Sequence, residues 1–341
     1  MENILKFAII GAGRMGRKHI HAVHKLGYSV IGVVDTARSS LDEAKQEHDL
    51  YESMLFATPE EMFAVGVPDC LIIATTADSH CALTCMAVER GVKYILVEKP
   101  LAVSLEECDR MIRTCQRHGA RLSVNHQMRF MEQYSKPKEL LDSEEYGGFR
   151  SMTVVGGNFG MSMNGSHYVE AFRYLSGEDP VEVTAWFDHG MVANPRGTQF
   201  EDRAGSIRVT TASGKRLYIE IGADQGHGVE VIYAARNGLI SVSELTGDMT
   251  ATVRQAEYRA LPTTRYGMPA DSTQHMIAPA EVIDSTALVL NALIRDENRV
   301  TAEQGTKAVE VLVAAYVSAE NGSRAVRLDN QLDRSRAFPW A

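Results

Sequence analysis

The stretch FAIIGAGRMG, Phe7 to Gly16, joins an apolar run to a helical pattern (Arg14–Leu26) through three glycines spaced Gly11-x-Gly13-x-x-Gly16. A strand that ends in this turn and restarts as a helix is the layout a dinucleotide pyrophosphate needs. Gly11 permits the tight turn, Gly13 lets backbone approach the phosphates, and Gly16 lets helix pack on strand. The helix N-terminus then offers unpaired N–H groups and a partial positive charge to the anion. A second apolar run, Val30–Val34, ends at Asp35, 24 residues after Gly11. A carboxylate there can accept hydrogen bonds from adenosine ribose hydroxyls and repels a 2′-phosphate, so NAD is expected and NADP less so. Arg38, three residues on, is the one feature that softens this preference.

Working outward, short apolar strands alternate with helical segments up to Val124. Strands are expected near Leu5–Ile10, Ser29–Val34, Asp69–Ala74, Lys93–Val97 and Arg121–Val124. Helices are expected over Ser39–Glu47, Ser79–Arg90 and Leu105–His118. Such alternation means a parallel sheet covered on both faces, a doubly wound α/β domain over residues 1–124. Thr58-Pro59-Glu60-Glu61 and Ser104-Leu105-Glu106-Glu107 place N-cap candidates before acidic first turns.

After Asn125 the texture changes. Helical patterns at Glu132–Leu141 and Ser166–Leu175 flank a glycine-rich loop that follows Phe149–Val155. Period-2 runs then succeed one another without helices at Val181–Phe187, Gly205–Thr211, Arg216–Ile221, Val229–Ala234 and Leu239–Glu244. This predicts an α+β domain over 125–341 with a large, open, mostly antiparallel sheet, closed by helices near Ala280–Arg295 and Ala302–Glu320. The tail from Asp329 is weakly patterned and is expected to be loose or to pack on a neighbour.

The bulk figures fit a cytoplasmic enzyme with a small-molecule substrate. The net charge of −9, without a dense Lys/Arg block, argues against nucleic acid or an anionic membrane as partner. No apolar stretch reaches the ~18 residues of a membrane span, and the first strand begins too early to leave room for a signal peptide. The five cysteines lack C-x-x-C spacing and read as reduced, mostly buried thiols. An antiparallel sheet covered by helices on one face leaves the other to cover, which predicts a homodimer or homotetramer through Val181–Glu244, with Val229, Val231 and Tyr233 on that face.

With the fingerprint, Glu98-Lys99-Pro100, and a loop-borne His167-x-x-Glu170, the chain resembles the glucose–fructose oxidoreductase, inositol dehydrogenase and rhizopine-catabolism oxidoreductase family. The likeness extends through Arg129-Phe130, Gly147-Gly148-Phe149 and Ser318-Ala319-Glu320-Asn321-Gly322. It implies an NAD(P)-dependent oxidoreductase moving a hydride to or from a hydroxyl carbon of a sugar, sugar nucleotide or cyclitol. It also implies that Arg14, Met15, Thr75, Thr76, His80, Glu98 and Lys99 join Gly11, Gly13, Gly16 and Asp35 around the cofactor. Asn125, His126, Arg129, Asn164, His167 and Glu170 are expected on the substrate side. Two positions depart from the family pattern: Met163 stands where an aspartate is frequent, and Ala77 where a proline is.

Lys99 and His167 are the expected catalytic pair. Lys99 ends a buried parallel strand, where open α/β sheets bind ligands, and its ammonium can hydrogen-bond the reacting oxygen. Loss of hydride from a carbinol requires loss of the hydroxyl proton, and imidazole is suited to carry it near neutral pH. Glu170, one turn after His167, can orient the ring or touch substrate. No metal site is expected: His167 and Glu170 lack further ligands, and His19, His21 and His24 read as solvated or phosphate-side histidines. Two other readings share the sequence evidence, an NAD-dependent glycosidase of the same family and a non-enzymatic dinucleotide sensor. Fold alone does not separate them.

Overall fold

A computed structural model describes residues 4–157, 159–191, 194, 196–262, 268–329 and 332–340. The chain divides into two compact units, one of 1–127, 281–309 and 333–341 and the other of 128–280 and 310–332. The boundary expected at 124/125 therefore needs correcting: the chain returns twice to its first unit.

In the first unit β1 (Lys6–Ile10), α1 (Arg14–Lys25), β2 (Ser29–Val34), α2 (Arg38–His48), β3 (Leu55–Phe56) and α3 (Pro59–Val65) follow in order. Then come β4 (Cys70–Ile73), α4 (Ala77–Glu89), β5 (Tyr94–Val97), α5 (Leu105–His118) and β6 (Arg121–Val124). The strands are all parallel in the order β3-β2-β1-β4-β5-β6, the doubly wound arrangement whose order reverses between β1 and β4. Phe7, Ala8, Ile9, Leu71, Ile72, Ile73, Ile95, Leu96 and Val97 are buried, as strands covered on both faces must be. Thr58 caps α3 with Glu61 in a reciprocal box, and Ser104 caps α5, so both marked starts are helix starts.

The second unit opens with α6 (Glu132–Leu141), β7 (Phe149–Gly157) and α7 (Ser166–Ser176). A run of strands follows: β8 (Pro180–Met191), β9 (Arg203–Thr211), β10 (Arg216–Gly222), β11 (Glu230–Ala235), β12 (Gly238–Ser243), β13 (Asp248–Arg254) and β14 (Ala270–Met276). With β15 (Val326–Arg327) they form a nine-stranded sheet, β14-β13-β12-β11-β7-β10-β9-β8-β15. It is antiparallel except where β10 runs parallel to β7. The alternation is clean: Ile207, Ile219, Val154, Val231 and Val242 lie in one register row and are buried. Val231 and Tyr233 therefore point into the core, and the outward residue between them is Ile232. The expectation that Val231 and Tyr233 face outward is off by one residue, which in a strand inverts the face.

The late helices are α8 (Val282–Arg295) and α9 (Ala302–Glu320). Within the first unit α8 packs on α1, β5 and β6, and Arg121 donates to the carbonyls of Leu293 and Ile294 at 2.9 and 2.7 Å. The described part of the tail, 332–340, is not loose. Arg334 forks onto Asp109 at 2.8 and 2.7 Å, the Phe338 amide donates to the Val103 carbonyl, and Trp340 is fully buried, stacked on Phe338. Its two large aromatics carry the burial that weak periodicity concealed.

Candidate functional site

The glycine turn is built as its spacing requires. Gly11 has φ +97°, and a Cβ there would lie 2.6 Å from the Ala74 carbonyl oxygen; one on Gly16 would lie 1.8 Å from the Gly11 oxygen. A Cβ on Gly13 would meet nothing within 4 Å. The backbone is thus kept bare on the open side of the turn, where α1 begins. No side chain caps α1 and its first turn holds no acid, which leaves the positive end of the helix available to an anion. These features fit a dinucleotide pyrophosphate.

Asp35 ties this turn to the end of β2. Its carboxylate accepts from the Ala12 amide at 2.7 Å and from the Ala37 amide at 2.8 Å, one to each oxygen. A carboxylate has about four acceptor sites, so two remain for hydroxyl donors. Arg38 turns its guanidinium to Asp42 and Glu52, at 2.9 and 2.7 Å, so its charge is shared with two acids.

Thr75, Thr76, Lys99 and Asn125 follow β4, β5 and β6 and so stand at the carboxyl edge of the sheet with Gly11 and Asp35. Thr75 bonds Ser79 through their hydroxyls at 2.6 Å, and Thr76 donates to Asp78. The Lys99–Pro100 bond is cis. Lys99 is 9 % exposed, where a solvated lysine would be mostly free.

The loop that carries Lys99 is held from two sides. Glu98 accepts from His19 Nε2 at 2.7 Å and from the Asn125 amide at 2.8 Å, and all three side chains are buried. Burial alone would raise the Glu98 carboxyl; the hydrogen bond and charge of His19, then Lys99 and Asn125, outweigh it and hold the group well below the usual carboxylate range. On the other side His80 is fully buried, with Nδ1 3.1 Å from the Pro100 carbonyl oxygen and Nε2 3.2 Å from that of Thr75. Burial pushes its imidazole down, toward the neutral form. His80, Glu98 and Asn125, expected beside the ligands, brace the lysine loop with these polar groups. His19 is not a solvated histidine but the fourth member of this brace.

In the second unit Met161–Gly165 forms one π-helical turn leading directly into α7, which begins at Ser166. Asn164 and His167 are half-buried there. No acid stands at Met163, yet one reaches the turn from elsewhere: buried Asp202 accepts from the Ser162 amide at 2.7 Å and the Met163 amide at 3.0 Å. A Cβ on Gly160 would lie 1.9 Å from the Asp202 carboxyl carbon, so glycine is required for that approach. Glu170 is committed to the interior. One oxygen pairs with Arg129 and the other with Arg173 at 2.8 Å, all three residues belonging to this unit. A buried acid needs such partners, and those of Glu170 are arginines. Arg129 also stacks on Tyr174, with its guanidinium 5.5 Å from the ring centre. His126 is buried in the first unit. The His19–Glu98 and Asp202 contacts span too many residues to be read from local pattern; among the described residues no His/Cys/Asp/Glu group suits a metal ion.

Comparison with known proteins agrees with this geometry. Residues 5–126 match the oxidoreductase family with the NAD-binding Rossmann fold. The inositol 2-dehydrogenase/D-chiro-inositol 3-dehydrogenase of Halalkalibacterium halodurans is 33 % identical over 138 residues, 39 % of this chain and 37 % of that enzyme. The inositol 2-dehydrogenase of Salmonella paratyphi B is 25 % identical over 277 residues, 74 % of this chain and 77 % of that enzyme. Among solved structures an oxidoreductase from Agrobacterium radiobacter, in complex with NAD+, L-tartaric acid and magnesium, superposes with a TM-score of 0.80 at 21 % identity, covering 96 % of this chain and 99 % of that one. With the doubly wound first unit, its bare glycine turn and the Glu98-Lys99-Pro100 loop, these show that residues 5–126 form the NAD-binding Rossmann domain of the glucose–fructose oxidoreductase, inositol dehydrogenase and rhizopine-catabolism oxidoreductase family.

Proposed function

We propose that this chain is an NAD-dependent dehydrogenase of a polyhydroxy substrate, a cyclitol, sugar or sugar nucleotide, with Lys99 and His167 handling the proton of the reacting hydroxyl. The observation that carries the reading is the brace around Lys99. Buried polar contacts through His19, Glu98, Asn125 and His80 hold one lysine at the carboxyl edge of a dinucleotide-binding sheet. Such an investment of buried polar groups suits a side chain that must be aimed. Its relatives named as inositol 2-dehydrogenases favour a cyclitol within this class.

NAD, when bound, supplies the hydride acceptor or donor. Lys99 donates a hydrogen bond to the oxygen whose charge changes as the carbon is oxidised or reduced. His167 takes up or returns the hydroxyl proton. Asp202 acts through backbone, fixing the π turn from which α7 projects His167. The test is a panel of inositols, aldoses and nucleotide sugars followed by nicotinamide absorbance. Turnover with a cyclitol or sugar supports the proposal, whereas glycoside cleavage without net absorbance change would identify the glycosidase reading instead.

Two properties follow from the same reading. NADH should bind more tightly than NADPH, because Asp35 faces the ribose end and Arg38 is shared between Asp42 and Glu52. Asp35→Ser should narrow the gap by roughly tenfold, about 1.4 kcal/mol; tighter binding of NADPH by the unaltered protein in a fluorescence titration would refute the preference. The outward face of the nine-stranded sheet carries Trp186, Tyr218, Ile232 and Leu239, each at least 37 % exposed. Tyr218 and Ile232 both sit opposite Thr153, so they share one row. We assign this face to a homodimer or homotetramer contact. Light scattering at micromolar concentration should show more than one copy, and Trp186→Glu should shift the protein toward monomer; a monomer in the unaltered protein sinks the assignment.

A further inference from the structure

Apart from the dinucleotide and substrate residues, the first unit holds a cluster of sulfur and guanidinium groups. In that unit α4 packs against α5. Cys81 and Cys85 stand one turn apart on α4, and Arg110, Thr114 and Arg117 recur at four- and three-residue spacing on α5, one face of a helix. Arg110 Nε lies 3.0 Å from Cys81 Sγ. Cys85 Sγ lies 3.6 Å from the Thr114 hydroxyl, which accepts from Arg117 at 3.3 Å. A pocket of about 390 Å³ adjoins the pair, lined by Arg110, Arg113, Thr114, Gln116 and Arg117. Thr114 belongs to both, so the pocket reaches the Cys85 side of the pair.

We propose that Cys85 is a thiol-modification site that forms a mixed disulfide with an anionic low-molecular-weight thiol, seated in the arginine-lined pocket. The reagent is the disulfide of that thiol. The Cys85 thiolate attacks one of its sulfurs, the new Cys85–sulfur bond forms as the old sulfur–sulfur bond breaks, and the second half leaves as thiolate, taking the proton that Cys85 released. Cys85 is oxidised and the leaving half is reduced, so no other oxidant is required.

Three observations support the choice of Cys85. Of the five cysteines it alone is not buried. The neighbouring Cys81 thiol, then Thr114 and the Arg110 charge, hold its thiol below the usual range against burial, whereas burial pushes Cys108 and Cys115 up to about 12 and Cys70 higher than usual. Cys81 cannot readily resolve the adduct. Side chains at i and i+4 of a helix have Cβ atoms about 5–6 Å apart, and a disulfide needs about 3.5–4.5 Å. The mixed disulfide is then the stable product, and three arginines around the pocket select for carboxylates on its small partner.

The test exposes the reduced full chain at neutral pH to glutathione disulfide, whose arms are anionic, and in parallel to cystamine, whose arms are cationic, with adducts located by peptide mass spectrometry. Glutathione should appear on Cys85 at least about tenfold faster than on Cys70, Cys108 or Cys115. Arg113→Glu, a change at an exposed position, should slow that reaction about tenfold while sparing the reaction with cystamine. Cys81→Ser should still carry the adduct at Cys85. An adduct on another cysteine, a Cys81–Cys85 disulfide in place of the mixed one, or an Arg113→Glu rate equal to wild type with glutathione disulfide would each overturn the proposal.

Discussion

Lys99→Ala is expected to bind NAD(H) with unchanged affinity and to lose about 10²–10⁴-fold in turnover. The two effects separate because Lys99 lies beyond β5, whereas the glycine turn and Asp35 lie at β1 and β2. In the proposed reading, cofactor capture rests on the bare backbone at Gly11, Gly13 and Gly16 and on the start of α1. Turnover needs a donor held at the oxygen whose charge changes, and removal of one such donor in other enzymes costs about 10²–10³-fold. His167→Ala should fall in the same range if its imidazole moves the proton. Single-turnover hydride transfer distinguishes the roles. If His167→Ala transfers at the wild-type rate and only raises KM, His167 binds substrate; if Lys99→Ala does the same, the proposed mechanism is wrong.

How much of this was legible in the sequence depends on the range of each contact. The fingerprint, the parallel sheet and the capped helices α3 and α5 are local patterns, and β2, α5, β6, α6 and α9 have the bounds their periodicity predicts. The β13–β14 hairpin was missed. β14 is exposed along its whole length, so its sequence carries no buried alternation to find. The candidate site divides in the same way. Lys99 is announced by its triplet at a strand end. The partners that hold it, His19 from α1 and Asn125 from beyond β6, come from residues whose own surroundings read as an ordinary helix and an ordinary turn. Met163 is the clearest case: the missing aspartate suggests a missing function, but Asp202 supplies a carboxylate to the same turn from 39 residues away, with Gly160 as the sole local sign.

Glu98→Ala is expected to be the most destabilising substitution in the first unit that removes no core side chain. Breaking a buried pair by deleting one partner costs about 3–5 kcal/mol, because the other is left without compensation. Here the loss leaves His19 Nε2 and one Asn125 N–H without their acceptor, in a place where His19 Nδ1 and Asn125 Oδ1 already have no hydrogen-bond partner among the described residues. For a unit of this size the loss should lower Tm by roughly 10 °C. Glu98→Gln keeps the shape and one acceptor oxygen and should lose less. It is also the variant that isolates the charge. The carboxyl of Glu98 is held below its unfolded value of about 4.3. Its ionised form therefore stabilises the fold fully above that pH and progressively less as pH falls toward the folded value. The gap in Tm between wild type and Glu98→Gln should be constant from about pH 7 to 5 and shrink below about pH 4. A gap that stays the same down to about pH 3 would mean that the carboxylate is not held ionised by His19 and Asn125, and the brace on Lys99 would then be a matter of shape rather than charge.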